Sequence, residues 1–365
     1  MKQTIPTFYP QFQCIASRCS DNCCIGWEID IDPQTLSYYR SLRSSFGEHL
    51  KNNISLEDSP HFLLTKTERC PFLNEQNLCD IFLELGEEHL CEICCQHPRF
   101  HEWFGNYKES GLGLCCEEAV RLLISDPQPL SFQTIETDEE PDTASFDAEL
   151  LSALISLRAT FFQILQDRTQ PLGARFQSVL NLASQAQELL DNDLIPDPAL
   201  ENLYHLPLEC PSFSPEETLY QILDFLKTLE PIDPNWHGHL AALQSRLPEL
   251  IHSVNQSSLL SNRLYVYEHL SVYFLYRYLL KSVWDEDLLS RVKLSLLSPI
   301  IIFLLDCCDF LNGHFSTSRQ IQNIKSFSKE IEYCDENLEL LLEESWNSDF
   351  LSFSSLLSLF DSLLK

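Results

Sequence analysis

Glycine, methionine and positive charge are scarce in this chain. Nine glycines and one methionine occur among 365 residues, and no block of alternating polar and apolar residues stands out. Such alternation is the main sequence signal of half-buried strands, so its scarcity argues against a fold dominated by sheet. No segment repeats with a period of about 20 to 50 residues, which argues against a solenoid. We therefore expect a mostly α protein.

The shortage of positive charge limits the partners. Lysine and arginine together number 24 against 54 acidic residues, which gives a formal net charge of −30. Phosphate backbones and anionic membrane surfaces repel such a chain, so we expect neither nucleic acid nor a membrane as a partner. A cationic, lysine-bearing protein suits this charge better.

Long apolar runs are also lacking. The opening "MKQTIPTFYPQFQC" does not contain the apolar stretch of about 7 to 15 residues that a secretory signal needs. The longest strongly apolar segment, residues 294–305, is interrupted by Pro299 and is too short to span a bilayer. We therefore expect a cytoplasmic protein. Thiols in that compartment stay reduced, so clustered cysteines there indicate metal or redox chemistry rather than disulfides.

Cysteine is abundant and unevenly distributed. Eleven of the 15 cysteines lie within the first 116 residues, whereas simple filling of a core does not predict such segregation. The N-terminal groups read Cys14-x4-Cys19-x3-Cys23-Cys24, Cys70-x8-Cys79, then Cys91, Cys94 and Cys95, then Cys115 and Cys116. Thiolates in close groups bind zinc or the iron of iron–sulfur clusters. Four later cysteines are interpreted as core or packing residues: Cys210, Cys307, Cys308 and Cys334.

The chain divides into three parts by composition. Residues 1–125 form a cysteine-rich, metal-binding region of short helices and loops, and residues 126–147 form an acidic, proline-bearing linker or surface loop. Residues 148–365 show helical periodicity and are predicted to form an α-helical domain. One helical stripe comprises Leu150, Leu154, Leu157, Phe161 and Leu165.

Four sequence words carry a resemblance to a known family. "FYPQFQCIASRCSDNCCIGWEIDID", "CPFLNEQNLCDIFLELGEEHLC", "CCQHPRF" and "LGLCCEEAVRLL" resemble the flagellin lysine-N-methylase family in the same order. Several of these words also occur in zinc- or iron-chelating domain proteins. The resemblance is specific over residues 8–125, and the remainder is similar mainly through the tyrosine-rich segment 265–278.

The resemblance implies an activity, cofactors and a site. Members of the family transfer a methyl group from S-adenosylmethionine to lysine side chains of flagellin, and a cysteine-bound [4Fe–4S] cluster is implicated. Cys95 is preferred to Cys94 because it occupies the C-x-x-P-R position, and Cys91 and Cys94 are extras with respect to the family words. The metal ligands that the resemblance implies are Cys14, Cys19, Cys23, Cys24, Cys70, Cys79, Cys95 and Cys116.

Neither a donor pocket nor a catalytic residue can be assigned. The C-x3-C-x2-C motif of radical S-adenosylmethionine enzymes is absent, since Gly26 and Pro98 stand where its third cysteine would lie. No G-x-G-x-x-G motif follows a predicted strand, so a Rossmann-type pocket is not visible either.

Several polar residues near the cysteines have two interpretations. Glu28, Asp30 and Asp32 could orient or deprotonate a substrate amine, although Asp32 before Pro33 is typical of a helix N-cap. Arg99 could bind a carboxylate of the donor or support the cluster, or it could form an ion pair with an acidic residue. His97 and His101 could ligate zinc, or they could be packing residues.

A non-catalytic protein is the alternative. The eight candidate thiols could fill two four-cysteine zinc sites, and the helical part would then dock a protein partner.

Overall fold

Helices dominate the computed structural model, which describes residues 1–26, 29–57, 59–196, 214–256 and 261–364. This confirms the expected mostly α class. The helices of the cysteine-rich region are short: α1 (Pro33–Ser41), α2 (Ser45–Asn52), α3 (Asp80–Leu85), α4 (Glu92–Gln96) and α5 (Glu117–Ile124). The later helices are α6 (Ala148–Gln166), α7 (Leu172–Leu190), α8 (Pro215–Leu226), α9 (Trp236–Ser245), α10 (Leu247–Gln256), α11 (Leu264–Tyr278), α12 (Ser282–Asp285), α13 (Leu288–Leu311), α14 (Thr317–Glu332), α15 (Asp335–Asn347) and α16 (Phe353–Leu363).

The structure confirms the helical stripe that the sequence predicted over residues 150–165. All five residues of the predicted stripe on α6 are buried in the main core. Asp32 is the N-cap of α1, and its Oδ1 accepts a hydrogen bond from the backbone N–H of Thr35 at 2.9 Å. Cys307 is buried in α13 and Cys308 packs against the same core, as their apolar surroundings predicted.

Two of these helices, α6 and α13, are long and apolar enough to cross a membrane. Within the protein, 78% of the most apolar window of α13 is buried, against 50% for α6. Because α13 packs against α7, α11, α14 and α15, its apolar surface is used in the main core.

A four-stranded sheet also forms, which the sequence did not predict. Its strands, in the spatial order β4-β5-β1-β6, are β1 (Lys2–Pro6), β4 (Arg99–Phe104), β5 (Tyr107–Leu112) and β6 (Phe132–Glu136). β1 runs parallel to β5 and antiparallel to β6, and β2 (Ile54–Ser55) and β3 (His61–Phe62) form a separate pair.

The inner strand β5 contains several polar residues, so the pattern of apolar and polar residues did not predict it. Lys108, Glu109 and Ser110 are all buried in β5. Glu109 is paired with Arg158, and Lys108 is paired with Glu139 at 2.7 Å. Their burial is therefore compensated by tertiary partners that hydrophobic alternation cannot reveal.

The segment 126–147 is mostly exposed, and it contributes the strand β6 to the sheet. The strand therefore ties this segment to the N-terminal strand β1. The three-part division of the chain stays a prediction.

A second, smaller core lies in the cysteine-rich region. Its buried residues are Ile29, Ile31, Tyr39, Leu50, Phe62, Cys70, Phe72, Ile81 and Cys91. Cys24, Cys79 and Cys94 are partly buried against it. This small core is the scaffold that positions the thiols.

Candidate metal centre

Backbone pairing places Cys24 beside Cys70. The N–H of Cys70 donates to the carbonyl of Cys24 at 2.8 Å, and Ile25 forms an antiparallel bridge with Arg69. Gly26 closes this contact with a φ of +90°, a conformation that glycine adopts without steric cost, and its N–H donates to Glu68. Two segments more than forty residues apart in sequence are thus joined at their cysteines.

A tight turn returns the chain from Cys70 to Cys79. Oδ1 of Asn74 accepts hydrogen bonds from the backbone N–H groups of Gln76 and Leu78, both at 3.0 Å. Leu73 and Cys79 form a bridge across the turn. Such side-chain to backbone bonds are why asparagine is favoured in turns, and here they bring the two cysteines to the same core.

Cys91 and Cys94 supply the third segment. Their Sγ atoms lie 3.3 Å apart, on either side of the first turn of α4. The hydrogen bond between the two thiols lowers the pKa of Cys91. The same hydrogen bond is the largest cause that raises the pKa of Cys94, and burial and the charges of nearby cysteines add to the rise. Oδ2 of Asp32 accepts from the N–H of Glu92 at 3.0 Å and ties α4 to α1.

These segments together form what we call the six-thiol cluster: Cys23, Cys24, Cys70, Cys79, Cys91 and Cys94. Burial raises the pKa of Cys70 to about 12, and the charges of Cys79, Cys91 and Cys23 contribute to the rise. A hydrogen bond with Cys24 is the largest cause that raises the pKa of Cys23. Five of these thiols lie in or against the small core and Cys23 is hydrogen-bonded to Cys24, and a bound cation would favour the thiolate form that burial opposes.

Backbone amides also point at the sulfurs. Burial raises the pKa of Cys79, but hydrogen bonds from the backbone of Phe82 and Ile81 oppose the rise. A backbone hydrogen bond from Phe72 acts in the same sense on Cys70. Amide donors to sulfur stabilise thiolates and tune the metals that they bind.

The donor set therefore fits a thiophilic metal, although it is not preformed. In the described ranges of the chain, no three His, Cys, Asp or Glu side chains are already arranged to hold a metal ion. Binding at the six-thiol cluster would require side-chain rotations that draw the sulfurs together. The cluster combines soft sulfur ligands with partial burial, which suits zinc or iron–sulfur sites.

Four of the eight sequence-predicted ligands belong to the six-thiol cluster, and four lie outside it. Cys14 is exposed, and its Sγ accepts from the N–H of Ala16 at 3.4 Å. The Cys95 thiol points to the carbonyls of Glu87 and Leu90, at 3.5 and 3.6 Å.

The other two outlying thiols, Cys19 and Cys116, lie beside the cluster. Cys19 contacts Oε2 of Glu117 at 3.7 Å. Burial raises the pKa of Cys116 to about 12, and the charges of Cys19 and Cys23 add to it. The role of all eight residues as ligands stays a prediction.

Cys91 and Cys94, which are extras with respect to the family words, lie with the predicted ligands Cys70 and Cys79 in the small core. Their Cys-x-x-Cys spacing was an available signal, because it is the spacing of many zinc and redox sites.

The other candidate residues have structural partners. Both carboxylate oxygens of Asp32 accept backbone hydrogen bonds, and Asp30 accepts from the Ser59 hydroxyl at 3.0 Å. The Arg99 guanidinium lies 5.1 Å from the ring centroid of Phe12 and donates to the carbonyl of Cys95 at 3.4 Å. Glu28 and Cys210 lie outside the described residues.

The two histidines considered as zinc ligands are held within the protein. Nε2 of His97 is 3.9 Å from Sγ of Cys115, and burial lowers the pKa of His97 to about 4. Nδ1 of His101 lies 2.6 Å from the hydroxyl of Ser110. The packing interpretation fits both contacts.

Comparisons with known proteins agree on one family. Residues 158–359 match the family model described as the FliB lysine N-methylase C-terminal domain, which covers more than half of the chain. The match falls on the helical part, where the sequence words gave the weaker resemblance. No solved structure matches.

Three curated relatives are similar over part of the chain. The flagellar biosynthetic protein FliU of Salmonella muenchen is 32% identical over 135 residues, which cover 35% of this chain and 80% of that protein. The lysine-N-methylases of Salmonella typhimurium and Salmonella choleraesuis are each 31% identical over 137 residues. The matched part covers 35% of this chain and 34% of each of those enzymes.

Proposed function

The chain belongs to the FliB lysine N-methylase family, and from that premise we propose that it methylates lysine side chains of a protein substrate. The flagellar name of one relative supports flagellin as that substrate. The net charge of −30 agrees with a cationic, lysine-bearing surface on the substrate. S-adenosylmethionine is the proposed methyl donor.

The proposed reaction transfers a methyl group from a sulfonium to an amine. The lone pair of the lysine ε-amine attacks the methyl carbon, the carbon–sulfur bond of the sulfonium breaks, and S-adenosylhomocysteine leaves. The amine must be neutral before it attacks, and its unperturbed pKa is about 10.4. The site must therefore lower the pKa of the substrate amine by desolvation or supply a base that takes its proton.

We further propose that the six-thiol cluster holds a [4Fe–4S] cluster. The observation that carries this proposal is the convergence of thiols from three chain segments on one small core. Such a cluster supplies electron-transfer chemistry when bound. The residues themselves would bind it through the thiolates and would hold it through backbone N–H groups directed at sulfur.

Metal content tests the cofactor. The protein purified without oxygen should be brown and should contain iron and acid-labile sulfide in equal amounts. The same preparation made in air serves as the comparison, because exposed clusters degrade with oxygen. A colourless protein with stoichiometric zinc, and no iron even after reconstitution, would contradict the iron–sulfur assignment.

A mass measurement tests the activity. The reconstituted protein, S-adenosylmethionine and the host's flagellin should yield a mass increment of one or more methyl groups on lysine. Flagellin whose lysines have been acetylated serves as the control and should gain nothing. If reconstituted protein adds no methyl group to unmodified flagellin, the flagellin assignment is wrong.

A non-catalytic zinc protein is the second candidate. The observation in its favour is the Cys91–Cys94 pair, since its spacing and its place at the start of a short helix are shared with structural zinc sites. In that case the helical part would dock a protein partner. Zinc at a fixed stoichiometry, together with no methyl transfer, would favour a non-catalytic zinc protein.

A further inference from the structure

An open surface cavity of about 420 Å³ lies at one corner of the four-stranded sheet, and it shares no residue with the six-thiol cluster. It is lined by Glu102, Trp103, Glu140, Asp142 and Trp284. Their chemistry indicates what the cavity would accept.

The two indole rings are fixed and partly open to solvent. Trp284 stacks on Phe104, with ring centroids 6.3 Å apart, and meets the edge of Phe146 at 5.6 Å. Trp103 lies on the edge strand β4, and its ring centroid is 5.6 Å from that of His101. The exposed fractions are 47% for Trp284 and 41% for Trp103. Large apolar side chains are thus held rigidly at a surface, which is typical of a binding site.

One of these rings already receives an ammonium group. Nζ of Lys108 lies 4.9 Å from the ring centroid of Trp103, within the range of a cation–π interaction. Lys108 itself is buried, whereas much of Trp103 stays exposed. The indole therefore contacts one ammonium already and keeps part of its surface exposed.

The carboxylates add a surplus of negative charge. Glu102 is neutralised by Lys281, with Nζ and Oε1 2.7 Å apart. Glu140 and Asp142 are both exposed and contribute two further negative charges at the rim of the cavity. A cation is favoured here by Coulomb attraction, while the donor's own carboxylate or a phosphate is disfavoured.

We propose that this cavity binds the ammonium group of a lysine side chain on the protein substrate, as a recognition site separate from the six-thiol cluster. The inference rests on the proposed function, which supplies the lysine-bearing substrate. Tryptophan rings and flanking carboxylates together bind an alkylammonium through cation–π and ionic contacts. N-methylated lysine retains the positive charge, so the cavity also accepts the product.

None of the residues that line the cavity belongs to the six-thiol cluster. Arg99, which touches the carbonyl of Cys95, begins the strand β4, and Trp103 lies four residues further along. At about 3.3 Å per residue this places Trp103 roughly 13 Å from the start of the strand, which lies beside Cys95 and not beside a member of the six-thiol cluster. A multi-lysine substrate can therefore occupy the cavity with one lysine while another is presented elsewhere.

Charge removal at the rim tests the proposal. The variant Glu140→Gln/Asp142→Asn removes both unneutralised carboxylates from exposed positions, and Glu136→Gln/Asp138→Asn removes two exposed acids that do not line the cavity. The probes are a fluorescent peptide with one lysine, the same peptide with norleucine, and S-adenosylmethionine. We expect the rim variant to weaken lysine-peptide binding about fivefold or more and the control variant to leave it unchanged.

Other outcomes overturn the proposal. Equal affinity for the lysine and norleucine peptides would exclude ammonium recognition, and loss of S-adenosylmethionine binding in the rim variant would assign the cavity to the donor. Trp103→Phe should retain part of the affinity that Trp103→Ala loses, and unchanged melting temperatures would show that each variant is folded.

A methylation assay separates this inference from the proposed function. If the chain methylates flagellin and the rim variant has an unchanged KM, the cavity assignment is wrong while the function stands. If no lysine is methylated but the lysine peptide binds and depends on the rim charges, the function is wrong while the cavity assignment stands.

Discussion

Adjacent cysteines occur four times among the described residues, and in two of these pairs, Cys94–Cys95 and Cys115–Cys116, the two members lie in different surroundings. Cys94 lies 3.3 Å from Cys91, whereas the Cys95 thiol points to backbone carbonyls. Cys115 is buried near His97, whereas Cys116 precedes α5 near Cys19. Successive side chains leave the backbone in different directions, so one member of a pair can face the thiols while the other packs.

The pair Cys94–Cys95 gives a prediction at the scale of one residue. Cys94→Ser should lower the bound metal to less than half of the wild-type amount, because it removes a sulfur from the six-thiol cluster. Cys95→Ser should keep the metal, since its thiol faces carbonyl oxygens. Metal analysis of the two purified variants measures this. Retention in Cys94→Ser and loss in Cys95→Ser would instead support the ligand that the family words implied.

At the scale of elements, the loop that carries Cys19 to Cys24 is fastened to α5 and α14. Oδ2 of Asp21 lies 2.6 Å from Nζ of Lys329 and 3.2 Å from Nζ of Lys325. The backbone N–H of Ser20 donates to Glu117 at 2.8 Å. The cysteine-rich region is thereby linked to the helical part by charge and hydrogen bonds.

The Asp21 contact predicts a dependence of stability on pH. Burial acts to raise the pKa of Asp21, but the hydrogen bond from Lys329 and the charges of both lysines outweigh it and hold the pKa at about 2. The folded pKa lies below the unfolded value of about 3.9, so this stabilisation is present above pH 4 and is lost as the pH falls towards 2.

The variant Asp21→Asn measures that stabilisation. It should reduce the free energy of unfolding by about 1 kcal/mol at pH 7, a value discounted for solvent screening because 35% of the side chain is exposed. Urea unfolding at several pH values measures the difference from the wild type, which should vanish near pH 2. The control Asp138→Asn, at an exposed position, should change little. A difference that persists at pH 2 would contradict the charge-based explanation.

A buried ion pair joins the sheet to α6. Nη1 of Arg158 donates to Oε2 of Glu109 at 2.7 Å and to the carbonyl of Tyr276 at 3.1 Å. Both charged residues are buried, and the hydroxyl of Tyr107 donates to the same carboxylate. The polar character of β5 is thus required by its partner on α6.

Removing one member of the Arg158–Glu109 ion pair should lower the free energy of unfolding more than removing both charges. Arg158→Met should destabilise the protein by about 3 to 5 kcal/mol, because it leaves the Glu109 carboxylate buried without its counter-ion. Arg158→Met/Glu109→Gln should recover more than half of that loss in urea unfolding. Glu48→Gln, which removes the exposed partner of Lys51, should cost about 1 kcal/mol or less. A double variant no more stable than the single one would contradict this account.

At the scale of the whole molecule, the described residues form a large core, a small core and a third cluster of three buried residues. The large core is built from helices α6 to α16 together with parts of the sheet and α5. The small core contains nine buried residues, two of which are cysteines of the six-thiol cluster. So small a core supplies little stability alone, and a bound metal would add its binding free energy to folding.

Metal removal should therefore loosen one part of the molecule and leave the other intact. A chelator should speed amide hydrogen exchange in α1 to α4 by about tenfold or more, while α7, α11 and α13 keep their protection. Exchange measured by mass spectrometry tests this, and Cys94→Ser purified without metal is the matched comparison. Equal protection of α1 to α4 with and without chelator would exclude a structural role for the metal.

The sequence by itself determined the features that depend on neighbouring residues. The stripe on α6, the Asp32 cap and the burial of Cys307 follow from local spacing, since helical periodicity and capping involve residues within a few positions. It also indicated that the N-terminal thiols belong together, through their clustering and the family words. The Cys-x-x-Cys spacing of Cys91 and Cys94 is also visible in the sequence, although these two cysteines are extras with respect to the family words.

Only the tertiary structure decided the sheet and the membership of the thiol cluster. β5 is polar because Arg158 lies across from it, and Cys24 faces Cys70 because of a backbone hydrogen bond between residues far apart in sequence. Which of Cys94 and Cys95 points to the cluster depends on where α4 packs, and α4 is held by Asp32. These are non-local pairings, and no local spacing specifies them, because their free energy comes from partners that the chain brings together only when it folds.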